Sequence, residues 1–182
     1  MKTVHIITVL ALAAAGFAMD AISAADNAKS SYKANVDQAA ETYKIARSRC
    51  ELLTGNPKDV CMAEAKAARV YQEANAKATY KNTLDATTDA RKAIANADHE
   101  VELARCGSLT GNPKDVCVKA AKANLVAALA DAKADHKVVE ARADANEDKR
   151  SADYKVALEK CDAFAGELNK SCVAQVKSQF GK

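Results

Sequence analysis

The residues best equipped for chemistry in this chain are six cysteines in three pairs of one spacing: Cys50 and Cys61, Cys106 and Cys117, Cys161 and Cys172. Each pair encloses ten residues, with a glycine five positions after its first cysteine, at Gly55, Gly111 and Gly166. The first two copies, CELLTGNPKDVC and CGSLTGNPKDVC, are nearly the same; the third, CDAFAGELNKSC, keeps the cysteines and glycine but has no proline. Thiols at such spacing could ligate a metal, run redox catalysis or form structural bridges. Zinc sites cluster their ligands about two to four residues apart, which these pairs do not, and neither His99 nor His136 lies beside a pair. No Cys-x-x-Cys unit is present, so redox catalysis is disfavoured as well. Six cysteines in even pairs read as a disulfide set in an oxidising compartment.

The N-terminus points to that compartment. Lys2 begins a short basic region, Ile6 to Met19 form an apolar run, and Ser23-Ala24-Ala25 offers small residues for cleavage, so residues 1–25 read as a signal peptide. The run is shorter than the roughly 20 residues of a membrane span and is followed at once by Asp20, so stable insertion after cleavage is not expected. The exported chain, 26–182, is then periplasmic or secreted. Its net charge is +3, with Lys, Arg, Asp and Glu interspersed and no basic block, which excludes a nucleic-acid footprint. Trp is absent and aromatics are 4% of the chain, so any core is thin and built largely from alanine.

The elements that position the cysteines are helices. No proline or glycine interrupts 58–106 or 114–165, and alanine, the best helix former, dominates both stretches. Apolar residues recur at three- and four-residue steps, as in Leu125, Leu129, Ala132 and His136, which gives narrow coiled-coil stripes. The expected fold class is all-α: elongated antiparallel helical hairpins, or a coiled coil, stapled by disulfides at the turns. The expected helices are about 27–54, 57–107, 113–165 and 168–180, forming one helical repeat domain. Gly55 suits the left-handed end of one helix, Asn56 the cap of the next, and Pro57 its first position. Gly111, Asn112 and Pro113 repeat this, while at Gly166 the cap falls to Asn169 or Ser171. With a reversal at each cysteine unit, the first and third tips would share an end. Two long helices would then lie bare near the middle tip, so a dimer, a partner or a helix break is expected. Asn82–Asp89 and Ala145–Asp148, rich in poor helix formers, are the places for a break.

Cysteines placed evenly about a turn lie level on opposite legs of a hairpin, within the roughly 7 Å Cα separation that a bridge requires. On one continuous helix they would be on the order of 16 Å apart. The repeat extends beyond the sulfurs. Tyr43, His99 and Tyr154 each precede a pair by seven residues, and Tyr80 and His136 each follow one by nineteen. The two histidines therefore read as half-buried substitutes for tyrosine.

The unit KCDAFAGELNKSCVAQVKSQFGK at 160–182, with its two upstream copies, resembles a group of small exported proteobacterial Cys-repeat proteins, described as similar to the envelope protein TolA. The likeness to TolA is one of composition, in Ala, Lys, Asp and Glu. The resemblance implies a helical envelope protein and no defined activity. No nucleophile–His–carboxylate set or phosphate loop is visible, and no cofactor is implied, so an enzyme is not expected. The expected function is a structural or interaction protein of the cell envelope, with a protein partner or self-association. The alternatives are a periplasmic holdase-like chaperone for unfolded proteins and a stress-induced sensor of redox poise.

Overall fold

The computed structural model describes the backbone from Phe17 and the side chains from Ala25 onward; the first sixteen residues of the expected signal peptide lie outside it. Among the described residues there are five helices and no strand: α1 Phe17–Cys50, α2 Gly55–Lys81, α3 Leu84–Cys106, α4 Gly111–Cys161 and α5 Gly166–Phe180. None is long and apolar enough to cross a membrane. The chain divides into two compact units, one ending at Leu125 and the other running from Val126 to Lys182.

In the first unit, α1 and α2 meet in descending order: Cys50 with Cys61, Tyr43 under the Arg69 guanidinium, and Tyr32 stacked on Tyr80 with ring centroids 5.0 Å apart. These are the contacts of antiparallel neighbours. The same order holds between α2 and α3, where Glu64 pairs with Arg105 at 2.8 Å, Lys66 with Glu100 at 2.6 Å, and Tyr71 donates to Asp98. A small core of Ala67, Ala97 and Val101, flanked by Ala63, Val70 and Tyr71, lies between them. Alanine at these positions lets the two backbones approach closely, so each helix buries little area.

The expected helix 57–107 is therefore two helices. Asn82 adopts the left-handed conformation (φ 47°) and its N–H bonds Ala78 O, while Thr83 Oγ1 accepts from Ala86 N at 3.1 Å and caps α3. Asn tolerates left-handed φ, and a Thr cap satisfies a donor that the first turn otherwise leaves open. The break falls where Asn82–Asp89 was expected. The other expected break, Ala145–Asp148, does not occur, because α4 runs through it without interruption.

This extra reversal also corrects the placing of the tips. With α2 and α3 folded back on one another, the first two cysteine tips lie at the same end of the first unit, where one unbroken helix 57–107 would have set them at opposite ends. Asn56 Nδ2 donates to Ala104 O at 2.7 Å, and Asn56 packs so close to Gly107 that a Cβ there would meet its amide at 2.5 Å. Asn56, expected to cap its own helix, joins the two tips instead.

Since Thr83 supplies the cap on which the α2–α3 reversal closes, Thr83→Ala should lower stability by about 1 kcal/mol. Urea unfolding followed by circular dichroism checks this; an unchanged midpoint would mean the reversal is held elsewhere.

Candidate interaction site at the disulfide tips

All six cysteines are bridged, as Cys50–Cys61, Cys106–Cys117 and Cys161–Cys172, with Cα separations of 5.5, 5.7 and 5.6 Å. The tips are built alike. In each, the residue three after the first cysteine turns back to bond that cysteine's carbonyl: Leu53 N to Cys50 O, Leu109 N to Cys106 O, and Phe164 N to Cys161 O, at 3.0, 3.1 and 3.0 Å. Two residues further on, Gly55, Gly111 and Gly166 take φ of 64°, 59° and 62°, where a side chain would be strained. Each glycine opens the following helix, so α2, α4 and α5 begin at Gly55, Gly111 and Gly166, two residues earlier than expected. Pro57 and Pro113 then sit in the first turn, where a missing N–H costs nothing. Asn112 follows Gly111 as Asn56 follows Gly55.

The third tip follows the same plan without proline. Its helix starts at Gly166 and not at Asn169 or Ser171; Asn169 Nδ2 instead donates to Cys161 O at 2.8 Å, tying the helix back across the turn. Within this unit Tyr154 packs on Phe180, and Arg150 donates to Phe180 O at 2.8 Å.

Cys50, Cys106 and Cys161 are fully buried, whereas the apolar residues just beyond them are not. Leu52 is 85% exposed, and Leu53, Leu109 and Phe164 are exposed at equivalent positions; Leu168 is 70% exposed beside the third tip. In the first unit Ile45, Leu103 and Val116 are also exposed within two turns of the paired tips, while among the described residues Tyr80 is the exposed large side chain near the opposite end. Single apolar residues on a surface are ordinary, but their concentration at one rigid end is not. Sequence reasoning missed these residues. The available signal was an apolar side chain at the third position after the first cysteine in every copy.

The remaining polar groups serve the scaffold. His99 is half-buried, with Nδ1 3.1 Å from Ala121 O, and joins α3 to α4. His136 is half-buried as well, 3.9 Å from Glu140. No cluster of three His, Cys, Asp or Glu residues able to hold a metal occurs among the described residues. Near the Asn82 reversal a groove of about 610 Å³ runs between α1 and α2, lined by Tyr32, Asn35, Gln38, Gln72, Asn75 and Tyr80 among others. No acid, base or thiol lines it. A second groove of about 350 Å³ takes Val36, Val70, Ala74 and Ala90 from α1, α2 and α3.

Compared with protein-family models, curated proteins and solved structures, the chain matches none.

Asp98 lies against the Tyr71 hydroxyl and bonds it. By accepting the phenol's hydrogen bond it pushes the Tyr71 pKa up to about 12, helped by partial burial. The neutral phenol is the form that bonds, so this contact stabilises the fold below the ordinary phenol pKa of 10 and is lost as pH rises through about 12. In an absorbance titration Tyr71 should ionise well above the ordinary phenol pKa of 10, near 12. Tyr71→Phe should remove that late step and the accompanying loss of stability; an alkaline titration curve unchanged by Tyr71→Phe at its upper end would contradict the assignment.

Proposed function

We propose that this is a non-enzymatic protein of the cell envelope, an array of disulfide-stapled antiparallel helical hairpins that engages a protein partner through apolar residues at its tips. The observation that carries this reading is the exposure of Leu52, Leu53 and Leu109 on two tips joined by the Asn56 bond. Cross-linked tips hold these leucines in one arrangement, so a partner meets a pre-organised patch and little ordering is required on binding. Export fits the three bridges, which persist only in oxidising compartments. Cleavage after Ala25 fits the register too: Tyr32 already stands opposite Tyr80, so a helix beginning at Asp26 still spans α2. A catalytic role is disfavoured, since the larger groove is lined by no carboxylate, imidazole, amine or thiol.

A second reading, a holdase-like chaperone, draws on the same paired tips, because neighbouring leucine-bearing tips offer several contacts to an extended apolar segment. The two readings separate on selectivity. Replacing Leu52, Leu53 and Leu109 together with Asp should leave helical content unchanged and abolish capture of the envelope partner by the oxidised protein. If the wild-type protein instead suppresses aggregation of any unfolded outer-membrane protein at equimolar ratio, and the triple variant does not, the holdase reading stands. Retention of both activities by the variant would exclude the tips.

The exported form should begin at Asp26 and be six hydrogens lighter than its thiol form by intact mass, given three bridges. A chain retaining residues 1–25, or carrying free thiols, would contradict export to an oxidising compartment.

A further inference from the structure

The internal repeat relates α2 to the first half of α4 at an offset of 56 residues, and α3 to its second half at an offset of 55. The two copies of this pattern meet different fates. Between α2 and α3, Lys81-Asn82-Thr83 reverses the chain and brings the two helices face to face. The equivalent residues are Lys137-Val138-Val139, which offer neither a left-handed Asn nor a Thr cap, and α4 continues straight through them. The faces that pack together in the first copy are therefore both carried on one unbroken helix in the second, where they cannot meet.

Their exposure records this. Ala67, Val70 and Ala74 of α2 are buried or half-buried, and their equivalents Ala123, Val126 and Ala130 are exposed. On α3, Ala90, Ala97 and Val101 are buried, and their equivalents Ala145, Ala152 and Val156 are exposed. Val126 is 59% and Val156 55% exposed, which is unusual for residues whose counterparts form a core.

From this we infer that α4 pairs with the α4 of a second copy of the chain, antiparallel and about a twofold axis between Val138 and Ala141, so that each half of one helix covers the opposite half of the other. Three arguments fix the occupant. First, six exposed small apolar positions along α4 are self-complementary, as a twofold interface requires. Ala127, Ala134 and Val138 mirror Ala152, Ala145 and Ala141 about that midpoint. Second, the α2–α3 register gives the same centre: Tyr71–Asp98 corresponds to Ala127 and Asp153, whose midpoint is Glu140, within one residue of the axis. Third, the flanking charges match across that axis. Lys133 and Lys137 on one side fall beside the partner's Asp144 and Asp148, and Asp131 on the other falls beside the partner's Lys149. A parallel pairing in register would set each of these groups against its own kind. The interface is separate from the tips and stands whether or not they bind a partner.

Sedimentation equilibrium on the oxidised chain from Asp26 tests the inference. A dimer is expected. Ala141→Lys, at an exposed helical position, should keep full helicity and weaken dimerisation about tenfold or more, because it places a charge against the partner's Val138. Lys133→Glu with Lys137→Glu should weaken it too, and adding Asp144→Lys with Asp148→Lys should restore it. With all six native cysteines bridged, a nitroxide on Lys155→Cys labels one site per chain. In the antiparallel register its spin–spin separation should be about 45–50 Å, against about 10–20 Å for a parallel pair. A monomer at high concentration would overturn the inference, as would a dimer indifferent to Ala141→Lys or a short label separation. A monomer would point to the third hairpin folding back within its own chain.

Discussion

The structure depends on a shortage. Helices faced with alanine bury about one methyl group at each contact, worth roughly 0.8 kcal/mol, where a leucine-faced bundle gains two or three times as much. Ala39, Ala65, Ala76, Ala86 and Ala121 are all buried, yet together they amount to a thin core for helices of 23 residues or more. Three bridges make up part of the difference. Each closes a loop of about a dozen residues and contributes about 3 kcal/mol by restricting the unfolded chain, comparable to burying three or four alanine methyls. The sulfur also sets geometry. Bridged Cα atoms 5.5 to 5.7 Å apart hold the helix ends at a separation that alanine fits and leucine does not. Small side chains and cross-links are thus one solution, each requiring the other.

Polar contacts then choose the register that alanine leaves loose. A smooth alanine face slides by a turn at little cost, because one methyl resembles the next. Lys66–Glu100 and Glu64–Arg105 are solvated and worth at most about 1 kcal/mol each, but both are lost together by a one-turn slip. Tyr71–Asp98 and Asn56–Ala104 are more demanding, since each needs one donor to reach one acceptor. His99 against Ala121 O does the same between α3 and α4.

Much of this was legible in the sequence, and what was not has a physical reason. The bridges and the left-handed glycines followed from spacing, because both are local and both have strict geometry. The two possible helix breaks were chosen on propensity alone, and propensity did not separate them. Ala145-Asn146-Glu147-Asp148 holds poor helix formers yet stays helical, since nothing there offers the backbone a better alternative. Asn82-Thr83 succeeds because a left-handed stop is followed at once by a cap, which satisfies the groups that the break exposes. Asn56 was misread for the opposite reason: its bond to Ala104 spans 48 residues, and local capping preferences carry no information about it.

Where the chain reverses through sulfur and where it reverses through Asn82 have different mechanical consequences. A tip closed by a bridge and a left-handed glycine has few alternative conformations, so the leucines it carries are held out in water continuously. Exposure of that kind is a standing cost to solubility, which the mixed charges along the helices offset. The Asn82 reversal has no covalent lock, and the two grooves lie beside it. A binding patch carried on a reversal without a covalent lock would lose more affinity to ordering on each encounter. Leu52, Leu53 and Leu109 stand on tips closed by sulfur, as does Phe164 beyond Cys161, so the partner proposed above would meet them already ordered.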